Sequence, residues 1–260
     1  MKVNEIYTCK KDWNYLIENG TEKEWHIIKS EALVEKKYVY GNEIFLRGII
    51  EFSNYCRKNC LYCGIRRDSP VSRYRMSKEE IIACAKKIFQ SGIRTIVLQS
   101  GEDTFYTQSE LSLIIREIKK ELDVAITLCI GERSFDDYKA FFDAGANRFL
   151  IKHETSNPKL FAYFHPGETL KDRLKCYENL KKIGYQVGLG NIVGLPYTTI
   201  GDYINDILLI KDLEADMAGI GPFIPSLNTP LAHFKSPDLN IIPKLISMAR
   251  IEIKGINIPA

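Results

Sequence analysis

The 260-residue chain predicts an α/β fold: a (β/α) barrel of the TIM type, with six βα units, the beginning of a seventh and a helical segment in front. Three observations predict it. From about residue 44, short β-branched apolar runs alternate with stretches of helical period. Successive strands recur roughly every 25 to 40 residues, the length of a βα unit. No reversal or long linker interrupts the series. A doubly wound parallel sheet is the alternative use of the same units.

Residues 1–40 lack strand alternation and read as one or two helices, with Trp13, Leu16 and Ile17, then Trp25, Ile28, Ala32 and Leu33, at helical spacing. They form a segment that closes the base or side of the barrel, and residues 41–260 form one barrel domain. The strands are "IFLRGIIEF", "RTIVLQ", "VAITLC", "RFLIK", "YQVGLGNIV" and "DMAGI". Between them, Ile81, Ile82, Ala85, Ile88 and Phe89 make one apolar stripe, and Leu111, Ile114, Ile115, Ile118 and Leu122 another. Ser77 with a glutamate three residues on is a capping box, and Gly92, Gly145 and Gly184 stand where helices end. "INIPA" at 256–260 resembles a seventh strand just starting, so the expected barrel is incomplete at its C-terminus: a fragment, a truncated product or a partial barrel.

Composition narrows the setting. The chain is 45% hydrophobic and 27% charged, with a net charge of only +3 and interspersed Lys and Glu, which excludes a basic nucleic-acid stripe. Its start is too polar for a signal peptide, and no window is apolar enough to span a membrane. Seven cysteines without an export signal predict reduced thiols in a cytoplasm rather than disulfides.

In such a barrel the site is built at the carboxyl ends of the strands. There the sequence places Cys56, Cys60 and Cys63, then Ser100-Gly101-Glu102-Asp103, Gly131-Glu132, His153-Glu154-Thr155, Gly190-Asn191 through Gly194, and Gly221-Pro222. The spacing C-x3-C-x2-C lets three thiolates on one loop reach three corners of a 4Fe-4S cube, leaving one iron open to an exchangeable ligand. A structural zinc completed by a distant Cys or His, or three core cysteines, are the competing readings.

That motif, with aromatic Tyr62 before the third cysteine and at the end of the first strand, resembles the radical S-adenosylmethionine (SAM) superfamily. Ser100-Gly101-Glu102 stands for its Gly-Gly-Glu motif, and Gly190, Ile192 and Gly194 match its Gly-x-Ile-x-Gly pattern, with Tyr197 where a glutamate is common. "EFSNYCRKNCLYCGIRRD", "RYRMSKEEI", "TIVLQSGED", "HETSNP", "NIVGLP" and "GIGPFIP" resemble, in order, segments of the HydE type of FeFe-hydrogenase maturation enzymes. Biotin synthases and methylornithine synthases are the next resemblance.

The resemblance implies a 4Fe-4S cluster on Cys56, Cys60 and Cys63 and SAM as cofactors, and a 5′-deoxyadenosyl radical as the reactive species. It implies that Glu102 meets the SAM ammonium, Arg173 its carboxylate and Glu154 the ribose or methionine part. Gly190 and Ile192 would support the adenine, Tyr62 would cover the cofactor, and Cys129 would stand where a serine is common. Gln99 and Ser100 would face the same cavity. His153 is left as a polar neighbour, and Cys9, Cys84 and Cys176 as structural. The implied substrate is a small organometallic iron-cysteine complex, or an amino-acid-derived molecule in the related enzymes. The implied partners are an electron donor such as ferredoxin or flavodoxin, a scaffold GTPase and a companion radical enzyme. With no cysteine after Cys176, a second, accessory cluster is expected to be absent. An inactive remnant with exposed strand edges is the remaining alternative.

Overall fold

A computed structural model describes residues 10–259. Six parallel strands form one sheet in sequence order: β1 (Gly48–Ser53), β2 (Thr95–Ser100), β3 (Ala125–Cys129), β4 (Arg148–Leu150), β5 (Gln186–Val193) and β6 (Met217–Pro222). Helices α3 (Lys78–Gln90), α4 (Gln108–Glu121), α5 (Phe135–Asp143) and α8 (Ile200–Asp212) each follow one strand; α6 (Pro158–Phe164) and α7 (Leu170–Ile183) both follow β4. Between α6 and α7 stands His165-Pro166-Gly167, where proline and a glycine at positive φ stop one helix before the next begins.

Strand alternation divides the sheet's two faces. Ile50 and Phe52, Ile96 and Leu98, Ile126 and Leu128, Phe149, and Val187 and Leu189 enter one continuous core. The opposite residues, Ile49, Glu51, Ser53, Val97, Gln99, Thr127, Cys129, Leu150 and Gly219, line a common cavity of about 930 Å³. One cavity lined by both edge strands means that the sheet curls around its inner face. Arg47, just before β1, donates to Asn257 Oδ1 at 2.8 Å, and Asn257 pairs in parallel with Met217 of β6. The expected seventh strand is therefore a single bridge among the described residues.

Ser77, Thr107, Ser134 and Thr199 cap α3, α4, α5 and α8 with reciprocal capping boxes, each worth about 1 kcal/mol, and fix where each loop from the sheet ends. In front of the sheet, α1 (Lys10–Asn19) and α2 (Glu22–Tyr40) pack on α8 and on α9 (Ile241–Glu252), at the side of the curled sheet. Trp13, Leu16, Ile17, Trp25, Ile28 and Ala32 are buried as expected. Leu33 is half exposed, because the apolar stripe of α2 is narrower than its spacing suggests. Cys9 lies outside the described residues. Cys84 and Cys176 are half-buried and pack against the core. No described helix is long and apolar enough to cross a membrane.

Candidate active site

The cysteine loop leaves β1 at Ser53 and crosses the mouth of the curled sheet. Cys56 accepts a hydrogen bond at Sγ from the Glu102 N–H at 3.3 Å, and Arg57 N–H donates to the Glu102 carbonyl at 3.1 Å, so the first cysteine is tied to the loop after β2. Gly101 makes that crossing possible: a Cβ there would lie 2.3 Å from the Tyr55 carbonyl oxygen and 2.7 Å from Cys56 Cβ. Leu61 N–H donates to the Phe164 carbonyl at 2.9 Å, fastening the other side of the loop to α6.

Burial pushes all three thiols above the ordinary cysteine pKa, Cys60 furthest. Three thiolates carried on one short loop are a donor set that fits three corners of an iron-sulfur cube.

Beside the cysteines, three carboxylates from three loops approach within 4.8 Å: Glu102, Glu132 and Glu168. The chain supplies its own cations to them. Lys58 Nζ lies 2.9 Å from Glu168, 3.1 Å from Glu132 and 3.7 Å from Glu102. Arg173 donates to Glu132 at 2.7 Å, to Glu168 at 3.3 Å and to the Lys152 carbonyl at 2.7 Å. Burial raises the Glu132 carboxyl, but Arg173 and Lys58 outweigh it and hold Glu132 below the usual range. Glu102 goes the other way, since burial prevails over its contacts with the Glu132 N–H and Lys58.

Opposite this network, Glu154 sits at positive φ (59°) beyond β4, bridged to Asn191 of β5. Its carboxyl is raised by burial, and its Oε2 is buried without a partner; so is Glu168 Oε1. These two unpartnered buried carboxylate oxygens, one of them on the cavity-lining Glu154, are acceptors that a cationic, multiply hydrogen-bonding cofactor would complete.

Of the residues singled out in the sequence, Cys56, Cys63, Tyr62, Gln99, Ser100, Gly101, Glu102, Cys129, Glu154, Arg173 and Ile192 line the one cavity. Cys60 is half-buried on the loop beside them, within the field of Glu168. Gly190 is not in the lining: it lies inside β5 opposite Gly219, whose carbonyl a Cβ would meet at 2.4 Å, so its smallness serves strand packing. Gly190-Asn191 and Gly221-Pro222 thus belong to strands and not to the loops after them. Gln99 donates to Glu51 at 3.2 Å, and burial raises the Cys129 thiol to about 11. Arg173 comes from α7, the second of the two helices that follow β4. Sequence reasoning missed Lys58 and Glu168, and placed Glu132 at the mouth without giving it a role. Lys58 between two of the cysteines was the available signal.

Tyr62 and His165 form a pair at 2.8 Å. His165 Nδ1 faces the Phe161 carbonyl at 2.9 Å and so carries the proton; Nε2 then accepts from the Tyr62 hydroxyl. Burial lowers His165 to about 4, below its ordinary 6.5, so it contributes stability that is full above pH 6.5 and lost as pH falls toward 4. His153, fully buried and lowered to about 3 by burial and Arg173, behaves likewise. Asp206, 3.8 Å from it and raised by burial to about 6, works in the opposite direction. Between pH 6.5 and 5.0, the His165→Gln protein should lose about 1.5 kcal/mol less stability than the parent in urea melts. An equal loss in both would show His165 charged in the fold.

Comparisons with known proteins were made against this geometry. A family model described as the Radical SAM superfamily matches residues 50–210. The chain is 48% identical over 228 residues to the [FeFe] hydrogenase maturase subunit HydE of Thermotoga maritima, covering 87% of this chain and 65% of that protein. It is 30% identical to the biotin synthase of Gloeothece citriformis, covering 76% of this chain and 58% of that protein. A crystal structure of a methylornithine synthase superposes with a TM-score of 0.92 at 26% identity, over all of this chain and 77% of the other. The chain thus spans two thirds or less of the length of these two curated relatives. Enzymes of the matched family use a 4Fe-4S cluster and SAM, the pair that the cysteine loop and its acidic surroundings accommodate. The family match over more than half of the chain, on a sheet that presents its cysteine loop at the mouth, makes this chain a member of the radical SAM superfamily.

Proposed function

We propose that the chain is a radical SAM enzyme of FeFe-hydrogenase maturation, HydE-like in its role, acting on a small organometallic iron-cysteine precursor in the cytoplasm. The observation that carries this reading is the 48% identity to HydE over 228 residues, 87% of this chain. Residues 41–260 are its catalytic domain, with helices α1 and α2 as its flank.

When bound, the cluster and SAM supply one-electron reductive cleavage to a 5′-deoxyadenosyl radical, chemistry that belongs to the cofactors. The protein's work is holding, orienting and excluding water. Cys56, Cys60 and Cys63 hold the cluster. Glu102 and the free oxygen of Glu154 would receive the ammonium and the hydroxyls of SAM, and Arg173, whose Nε, Nη1 and Nη2 already donate to Glu132, the Lys152 carbonyl and Glu168, would offer its remaining N–H groups to the SAM carboxylate. Tyr62, held by His165, would cover the cofactor, Ile192 would support the adenine, and Gly190 lets β5 and β6 approach each other. Gln99, Ser100 and Cys129 face the substrate space.

The electron comes from a ferredoxin or flavodoxin, and the substrate passes between a companion radical enzyme and a scaffold GTPase. A second reading, a methylornithine- or biotin-synthase-like enzyme, has the 0.92 TM-score in its favour. The test is to follow 5′-deoxyadenosine while supplying an iron-cysteine carbonyl cyanide complex, and to look for 3-methylornithine and biotin with the corresponding precursors. Turnover raised by the iron complex is the expected result; either amino-acid-derived product would replace the HydE-like role.

A further inference from the structure

The loop that carries the cysteines has no helix or strand of its own, yet it must hold three sulfurs in fixed positions. Beyond its ties to Glu102 and Phe164, one side chain closes its neck. Residues 72–76 turn back along the end of β1, with Ser53 paired antiparallel to Arg75, Met76 N–H donating to Phe52 at 2.8 Å, and Asn54 bonding both Ser72 and Tyr74. This places the Arg73 guanidinium at the neck of the loop. It donates through Nη1 to the carbonyls of Asn54 and Ile65 (2.9 Å to Ile65), and through Nη2 to those of Arg66 at 2.6 Å and Ser69 at 3.2 Å.

Asn54 stands two residues before Cys56, and Ile65 two residues after Cys63. The guanidinium therefore joins the outgoing leg of the loop to its return leg. A lysine, with one compact ammonium and three donors, cannot span the four carbonyls in this way. Among the described residues, no carboxylate lies within ion-pair distance of Arg73, unlike Lys58, Arg75 and Arg173, so its charge is offset only by carbonyl dipoles.

We propose that Arg73 is a positioning residue for the cluster: it closes the neck of the cysteine loop, and its unneutralised charge raises the reduction potential of what the loop holds. This rests on reading Cys56, Cys60 and Cys63 as cluster ligands. The charge effect follows because cluster potentials respond to nearby net charge, and a cation stabilises the more negative, reduced state.

The test compares the full chain with Arg73→Gln and Arg73→Lys after anaerobic reconstitution. It reads the rate of iron loss to a chelator, the potential by spectroscopically monitored reduction, and the melting of each apoprotein by circular dichroism. Both variants should melt as the parent does. Arg73→Gln should lose iron about tenfold faster and reduce at a more negative potential. Arg73→Lys should also lose iron faster but keep a potential near the parent's, because it retains the charge without the fork. Iron loss and potential unchanged in Arg73→Gln would overturn the proposal, as would faster loss with the potential unmoved. Should Arg73→Gln fail to fold, faster iron loss from Arg73→Lys supports the neck and an unchanged rate refutes it. A parent chain that takes up no iron would instead bring down the cluster reading, a distinct result.

Discussion

Gly101→Ala is expected to cut the iron bound after reconstitution at least about tenfold while leaving the sheet folded. The added methyl would lie 2.3 Å from the Tyr55 carbonyl oxygen and 2.7 Å from Cys56 Cβ, distances at which backbone must move. What moves is the cysteine loop, since β2 is hydrogen-bonded on both sides while the loop is held only at a few points. Cys56 is then displaced and its bond from the Glu102 N–H lost. Gly221→Ala is the matched control: it also borders the cavity, but an added Cβ meets nothing within 4 Å. Iron analysis of the two proteins beside the parent decides. Equal iron in Gly101→Ala and the parent would mean that the loop is more adaptable than this packing allows.

Arg173→Met is expected to remove about 3 kcal/mol of stability at pH 7.5, along with SAM binding. Glu132 and Glu168 would remain near each other with Lys58 as their main cation, and removing one partner of a buried ion network costs more than the network contributes as a whole. The pH dependence identifies the cause. Glu132 is depressed in the folded parent, so its contribution is present above the unfolded glutamate pKa and disappears as pH falls through the folded value. The gap between parent and variant should therefore narrow from pH 7.5 to pH 4 in urea melts. A gap below about 1 kcal/mol at pH 7.5 would show that solvent already screens the network.

How much of this was legible in the sequence depends on how local the signal is. Strand order and the placement of Cys56, Cys60 and Cys63 at the end of β1 follow from period-two and period-3.6 patterns and a spacing of a few residues, and both appear in the structure. Glu102 was legible because it follows the cysteine loop in the series of strand ends. The carboxylate network was not: Lys58, Glu132 and Glu168 are brought together only when three loops converge, and each alone reads as a solvated charge. Gly190 was legible as part of the fifth strand; that its missing side chain lets β5 approach β6 was not, because that contact comes from another strand. Leu33 shows the limit of periodicity, since helical spacing does not say how wide the covering surface is.

The central claim is that this loop holds a cluster at which SAM is cleaved. Its most direct test is anaerobic reconstitution with iron and sulfide, reduction with SAM present, and quantitation of 5′-deoxyadenosine, beside a Cys60→Ala protein treated identically. The account predicts deoxyadenosine from the parent and none above background from Cys60→Ala. Iron-sulfur absorbance without deoxyadenosine, or equal amounts from both proteins, would contradict it.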